Sequence, residues 1–416
     1  MKKNKLLLIL LILIIIPAAL LYLILKYDNP KVPQSNTTKD IKDITEEKSE
    51  KSYTVSMIMV GDNLIHSSIY KDAKERTGNT GYDFYSMYEL IKPITSSYDI
   101  AYYNQETILG GEELGLSDYP TFNSPYEVGD AMIDAGFNLV SLATNHTLDS
   151  GIKAIKNSRE YWDKHDNVLA VGSYISEESR NTPQIKEINN ISYTMLNYTY
   201  GTNGISIPEG QNYLVNVWPT DTDNINNPNN DIKYQSYKEQ VKKDVERVRD
   251  KVDILIVAMH WGVEYAEEPT QYEIDMANYL SSLGVDIIIG THPHVIEPIT
   301  WIDNTLVIYS LGNFISAQYQ NKYSCYNYRC TVGLMSSLEI TKTVNNTEEK
   351  IEIGNIDNEL IYTYYNQSTW RGYKVIPFSN QEIIKYLPNY KTIYETYKEI
   401  VQRYDNNINV KEVYEG

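Results

Sequence analysis

Positive charge is scarce in this sequence: 37 lysines and arginines stand against 55 aspartates and glutamates, a formal net charge of −18. That balance excludes a nonspecific nucleic-acid binder, which needs cations to replace phosphate counterions. It also opposes polyanions in general, except where a bound cation reverses the local sign. Phenylalanine is scarce too, with 5 residues against 38 tyrosines. The tyrosines are spread along the whole chain, so a compositional bias toward Asn, Ile, Lys and Tyr explains them better than a sugar- or peptide-binding platform. Only two cysteines occur, Cys325 and Cys330. A bridge between them would stiffen a short loop rather than hold a fold, and bridged and free pairs remain equally open.

Histidine is also rare, and its placement is informative. Five of the six histidines sit just past apolar runs that read as buried strands. His66 follows residues 57–60, His146 follows 139–143, His260 follows 253–259, and His292 and His294 follow 285–290. His165, in a polar helix-like stretch, is the exception and reads as solvated. In open α/β sheets ligands bind outside the carboxyl ends of the strands. Imidazole is the commonest nitrogen ligand for metals. The sequence therefore places its few imidazoles where a metal site could converge.

At the N-terminus, Lys2, Lys3 and Lys5 precede an uncharged apolar run over 6–25. Twenty such residues match a membrane-spanning helix, and no small-residue cleavage site ends the run. The expectation is an uncleaved signal-anchor over 1–27, lysines in the cytoplasm, in a single-pass protein of the cell membrane whose bulk lies outside. Residues 28–52 read as a flexible polar tether, 53–342 as the folded domain, and 343–416 as an extension that partly completes it.

Within the folded part, strands are expected over 53–60, 99–103, 138–143, 168–171, 191–199, 252–259, 285–290, 306–311 and 332–342. Helical spacing falls between them at 82–97, 124–135 (capped by Ser124), 152–164, 232–251 and 269–283. Residues 351–363 read as one or two further strands. The segment 201–231, dense in Asn, Pro, Gly and Thr, reads as a lid or insertion near the site. Strands alternating with helices imply an α/β fold.

The strand ends carry an ordered polar set: Asp62, Asn63 and His66; Asn104 and Glu106; Asn145, His146 and Asp149; His260 and Glu264; His292 and His294; and Asn313. Carboxylate, amide oxygen and imidazole together suit a divalent transition metal such as manganese, zinc or iron. A lone strand-end asparagine is usually a turn former, but six consecutive sites of this kind are hard to explain as turns.

These motifs (Gly61-Asp62, Asn104-Gln-Glu106, Asn145-His146 with Asp149 and Gly151, His260-Trp-Gly-Val-Glu-Tyr265, Gly290-Thr-His-Pro-His294 and Ser310-Leu-Gly-Asn-Phe314) resemble, in order, those of the CapA family of poly-γ-glutamate capsule synthesis proteins. The resemblance covers about 53–338. It implies a four-layer αββα metallophosphatase-like sandwich and one or two metal ions. By that similarity Asp62 and His294 would hold a first ion, Glu106 would bridge, and Asn145, His260 and His292 would hold a second. His146, oriented by Asp149, would protonate the leaving group while a metal-bound hydroxide attacks. The superfamily's first motif has a histidine two residues after its aspartate; here that position is Leu64. His66, one helical turn on, is left equally as ligand, substrate contact or neither. Asn63, Asn104, Glu264 and Asn313 are further candidates for ligand or substrate contact, with Glu264 steadying a histidine as one role. The resemblance also implies poly-γ-glutamate or another envelope polymer, and membrane subunits of a capsule synthase, as partners. Two functions follow: a metal-dependent, phosphoesterase-like hydrolase, or a non-enzymatic assembly or polymer-guiding factor.

Overall fold

Side chains alternate along a strand, and the first long strand shows what that does here. Met57 and Met59 face one core, while Ile58 and Val60 face another. A strand apolar on both faces must lie between two layers. The computed structural model describes residues 50–415, apart from 219–227, 229–230, 320–323 and 346–347. The anchor expected over 1–27 and nearly all of the tether lie outside the described residues. The last tether residues are strand, with Lys51 and Ser52 paired to Val344 and Thr343. No helix among the described residues is long and apolar enough to cross a membrane.

The strands in chain order are β1 (Lys51–Asn63), β2 (Ile100–Asn104), β3 (Leu139–Ser141), β4 (Leu169–Val171), β5 (Lys186–Ile188), β6 (Ile191–Thr199), β7 (Ile254–His260), β8 (Ile287–Thr291), β9 (Ile299–Ile302), β10 (Thr305–Ile308), β11 (Asn313–Ile315), β12 (Val332–Val344), β13 (Glu349–Asn366), β14 (Arg371–Pro377) and β15 (Asn409–Val410). A nine-stranded sheet runs β14-β13-β12-β1-β2-β3-β4, with β11 beside β1 and β15 beside β13. The other sheet has six strands in the order β5-β6-β7-β8-β10-β9. In the first sheet β1 to β4 are parallel and β12 to β14 antiparallel. In the second, β6, β7, β8 and β10 are parallel.

The two sheets pack face to face. Met57, Tyr102 and Leu139 of the first share a buried cluster with Met195, Ile256 and Ile289 of the second. Each fully buried side chain of this size contributes roughly 1.5–3 kcal/mol of transfer free energy. The outer face of the first sheet is covered by the helices Glu127–Asp134 and Gly151–Trp162, through Val128, Met132 and Trp162. The helices Ile232–Val248 and Gln271–Ser282 cover the second through Val241, Val245, Met276 and Leu280. The layers are helix, sheet, sheet, helix.

Two local expectations fail, each for a physical reason. The helix expected over 82–97 is broken into a single turn at Tyr85–Met87 and a four-residue helix at Lys92–Thr95. Pro93 lacks an N–H and its ring would clash with the preceding turn. Ser124 does not cap the next helix, because its hydroxyl donates to Thr107 Oγ1 at 2.8 Å and the helix starts at Glu127. Residues 351–363, read as one or two further strands, form one, within β13.

Candidate metal centre

Strand register gathers the site. Asp62 pairs with Asn104 across β1–β2 and with Asn313 across β1–β11. On the second sheet His260 pairs with Thr291, one residue before His292. The carboxyl ends of the two sheets' parallel strands thus meet. The approach is tight. A Cβ on Gly61 would lie 1.8 Å from the Gly312 carbonyl oxygen, so only glycine lets Asp62 N donate to that oxygen at 3.0 Å. His292 and His294 stand at φ 100° and 60°, in the left-handed region. Such backbone costs on the order of 1 kcal/mol per residue and concentrates at functional sites.

Glu106 lies at the centre. It is fully buried, and neither carboxyl oxygen has a hydrogen-bond partner. Its Oε1 is 3.6 Å from His294 Nε2 and 3.9 Å from His260 Nε2. Two groups of donor atoms share it: Asp62, Glu106 and His294, and Glu106, His260 and His292, the atoms of each lying within 4.8 Å of one another. A third group joins the exposed Glu264 to His292 and His294. Asn145 Oδ1 lies 2.9 Å from His260 Nε2, beside the second group.

The electrostatics match this donor set. Burial pushes the Glu106 carboxyl well above its ordinary range. Burial, with neighbouring imidazoles, pushes His260 and His292 well below theirs, so both keep neutral, lone-pair-bearing rings. Burial opposes charge on His294, but Glu106 and Asp62 outweigh it and push that imidazole up to about 10. Metal-free, the Glu106–His294–Asp62 cluster therefore holds a proton, which a divalent cation would displace. The orphaned oxygens of Glu106 and the unpartnered Nδ1 of His292 fit such a cation.

Supporting contacts surround the donors. Asn104 Nδ2 donates to Asp62 Oδ1 at 2.8 Å and lies 3.4 Å from His260 Nδ1. Thr291 Oγ1 is 3.0 Å from the same His260 nitrogen. Asn313 Oδ1 lies 3.1 Å from His294 Nδ1. Asn63 turns away: its amide meets Gln105 and the Tyr88 hydroxyl, both at 3.1 Å.

His146 stands beside these donors and outside the three groups. Its Nδ1 is 2.6 Å from Asp149 Oδ2, which also accepts from Phe122 N at 2.7 Å. Phe122 packs edge-on against the rings of both His146 and His66. His66 Nδ1 lies 3.2 Å from the Leu64 carbonyl oxygen, and burial pushes its imidazole down to about 4. It joins no donor group but lines a cavity of about 500 Å³ with His146, Glu264, Tyr265 and His294. Asp118, Tyr119 and Phe122 also line it. His165 is remote from all of this, packing on Tyr161.

Sequence reasoning misses Asn203. Its Oδ1 accepts from Asn145 Nδ2 at 3.1 Å, and its Nδ2 lies 3.2 Å from His146 Nδ1. The only signal was the turn-forming Asn203-Gly204 in a segment read as a lid or insertion. Tyr200, from the same region, packs on His292 with ring centroids 4.4 Å apart.

A family model described as bacterial capsule synthesis protein PGA_cap matches residues 56–318. The PGA biosynthesis protein CapA of Bacillus subtilis (strain 168) is 27% identical over 185 residues, which is 44% of each chain. The capsule biosynthesis protein CapA of Bacillus anthracis is 24% identical over 283 residues, 65% of this chain and 62% of that one. The matches thus span about half to three fifths of those relatives' lengths. Among solved structures, a 5'-nucleotidase from Candida albicans SC5314 overlaps 68% of this chain and 46% of its own, at 12% identity and a TM-score of 0.35. A likeness that loose carries no argument.

Proposed function

This chain belongs to the bacterial capsule synthesis protein family PGA_cap, and from that premise we propose that it is a metal-dependent hydrolase of capsule or envelope metabolism. The observation that carries the proposal is Glu106, a buried carboxylate without a hydrogen-bond partner, shared by two converging donor groups. A metallophosphatase-like reading is supported by that donor set together with the four layers of the fold. The proposal includes a single-pass anchor in the cell membrane, with poly-γ-glutamate or another envelope polymer and capsule synthase membrane subunits as partners.

Asp62, Glu106 and His294 would hold one divalent ion, manganese, zinc or iron. Glu106, His260 and His292, with Asn145, would hold the other. Bound there, such ions supply Lewis acidity, an activated water and neutralisation of developing charge. The residues of the chain do the rest. Asp149 accepts the Nδ1 hydrogen of His146, which leaves Nε2 to deliver a proton to a leaving group. Phe122 holds the ring edge-on. Asn104 fixes the Asp62 carboxylate and Thr291 the His260 ring. His66, neutral in its wall, is suited to contact substrate.

The other reading is a factor that guides polymer without chemistry. The cavity opposes it, because Asp118 and Glu264 line it and no lysine or arginine among the described residues does. A polyanion entering there would meet cations only at the metals. The experiment that separates the two uses the purified full-length protein, metal analysis and a phosphoester and amide substrate screen. Hydrolysis should fall roughly 10²–10⁴-fold in His146→Ala while metal stays bound. No metal after reconstitution with zinc, manganese and iron would sink the proposal. Normal polymer output from His146→Ala/His260→Ala cells would favour the guiding role.

A further inference from the structure

We propose that the loop closed by Cys325 and Cys330 positions His294 for metal binding, acting through Asn313; the inference rests on the metal-centre reading above. The two cysteines are joined in a disulfide. Both are buried against Val295, the residue after His294. The backbone carbonyl of Cys330 accepts a hydrogen bond from Asn313 Nδ2 at 2.8 Å, and Gln318 Oε1 accepts from the same nitrogen at 2.9 Å. Gln318 is itself oriented, because its Nε2 donates to the Tyr265 hydroxyl at 3.2 Å.

The chemistry of these partners removes an ambiguity. A carbonyl oxygen can only accept, so both hydrogens of the Asn313 amide are committed and the amide cannot flip. Its Oδ1 must then face His294 Nδ1, 3.1 Å away. Oδ1 also only accepts, so Nδ1 carries a ring hydrogen, and Nε2 is the nitrogen left to give an ion its lone pair on the side of Glu106, where Oε1 lies 3.6 Å off. A metal-binding histidine needs this: tautomer and ring angle fixed through the nitrogen that does not ligate. Asp62 Oδ2 also lies 3.2 Å from Nδ1. As a ligand itself, Asp62 would be drawn to the ion, which leaves Asn313 as the constant partner.

The same loop braces the lip of the site. Arg329 donates to the Tyr265 carbonyl oxygen and pairs with Glu267 at 3.2 Å. It thereby supports the surroundings of a histidine whose backbone sits at φ 60°. The other half of the centre does not depend on the loop, since Thr291 holds His260 through Nδ1, the nitrogen turned away from Glu106. Opening the disulfide should therefore loosen one half-site and leave the other intact.

The test titrates the full-length protein with Co²⁺ and follows the visible absorption of each bound ion. In Cys325→Ser/Cys330→Ser, and in wild type reduced with a phosphine and kept anaerobic, one of two binding steps should weaken about 10- to 100-fold. The other should stay unchanged. Asn313→Ala should reproduce the effect, and combining it with the cysteine changes should add little, since the three act as one unit. Thermal unfolding checks that each protein is folded; if the cysteine variant is not, Asn313→Ala decides by the same criterion. A folded variant with both steps unchanged, or both weakened equally, overturns the proposal. So does a wild type whose single bound ion survives His294→Ala. A wild type that binds no cobalt instead overturns the metal reading itself, before any variant is made.

Discussion

Glu106 and Glu297 are both fully buried, and each leaves two carboxyl oxygens without a hydrogen-bond partner. Burial pushes both well above the ordinary carboxyl range. Their neighbours differ. Glu106 faces the imidazoles of His260 and His294. Glu297 faces Glu273, which begins the helix Gln271–Ser282 in a capping box with Thr270 and which burial pushes up to about 7. A carboxylate beside lone-pair nitrogens can be satisfied by a cation, whereas one beside a second carboxyl can be satisfied by a shared proton. An orphaned buried acid is thus not by itself a site; the chemistry of its partners decides.

The largest effect should come from removing the acid that faces imidazoles. Glu106→Gln takes a ligand from both ions, so metal content measured by plasma emission should fall to near background in a folded protein. Retention of both ions would erase the contrast. The acid that faces another acid should report through pH. A carboxyl whose folded value is raised stabilises the fold fully below its unfolded value, near 4.5, and that contribution is lost as pH rises through about 7. The contribution of Glu273 should therefore be smaller at pH 8 than at pH 5, by on the order of 3 kcal/mol. Glu273→Gln should remove that loss, giving a variant more stable than wild type at pH 8 in urea unfolding and little different at pH 5. A difference that ignores pH would mean the pair shares no proton. The smallest effect on metal should come from Asn63→Ala. It breaks contacts with Gln105 and Tyr88 and should cost about 1–3 kcal/mol of stability, yet leave metal content unchanged.

The histidine half of the centre was legible because a parallel strand is apolar along its length and presents polar residues only where it leaves the sheet. His146, His260, His292 and His294 all follow that rule. Asn63 sits at the same strand end as Asp62, and its side chain goes to the opposite face because successive residues alternate. Asn203, Asp118 and Phe122 come from loops, where no periodicity fixes direction and only contacts distant in sequence do. The pairing of Cys325 with Cys330 was open in the sequence, and their link through Asn313 to His294 was not legible because it depends on β11 lying beside β1. β14 went unread, since Gly372 and Lys374 interrupt its short apolar pattern.

The pairing of β1 with β12 has a further consequence. Lys51 opposes Val344 and Val60 opposes Met335, so the strand that delivers Asp62 is held by a partner from the far end of the domain. Contacts that span so much sequence form slowly, because a long loop must close before any pairing rewards it. On the ribosome, β1 must wait, with apolar residues on both faces, until β12 has been made. Occupancy of the proposed metal centre would therefore report on complete folding: a nascent or truncated chain lacking β12 should be a client of chaperones and hold no metal.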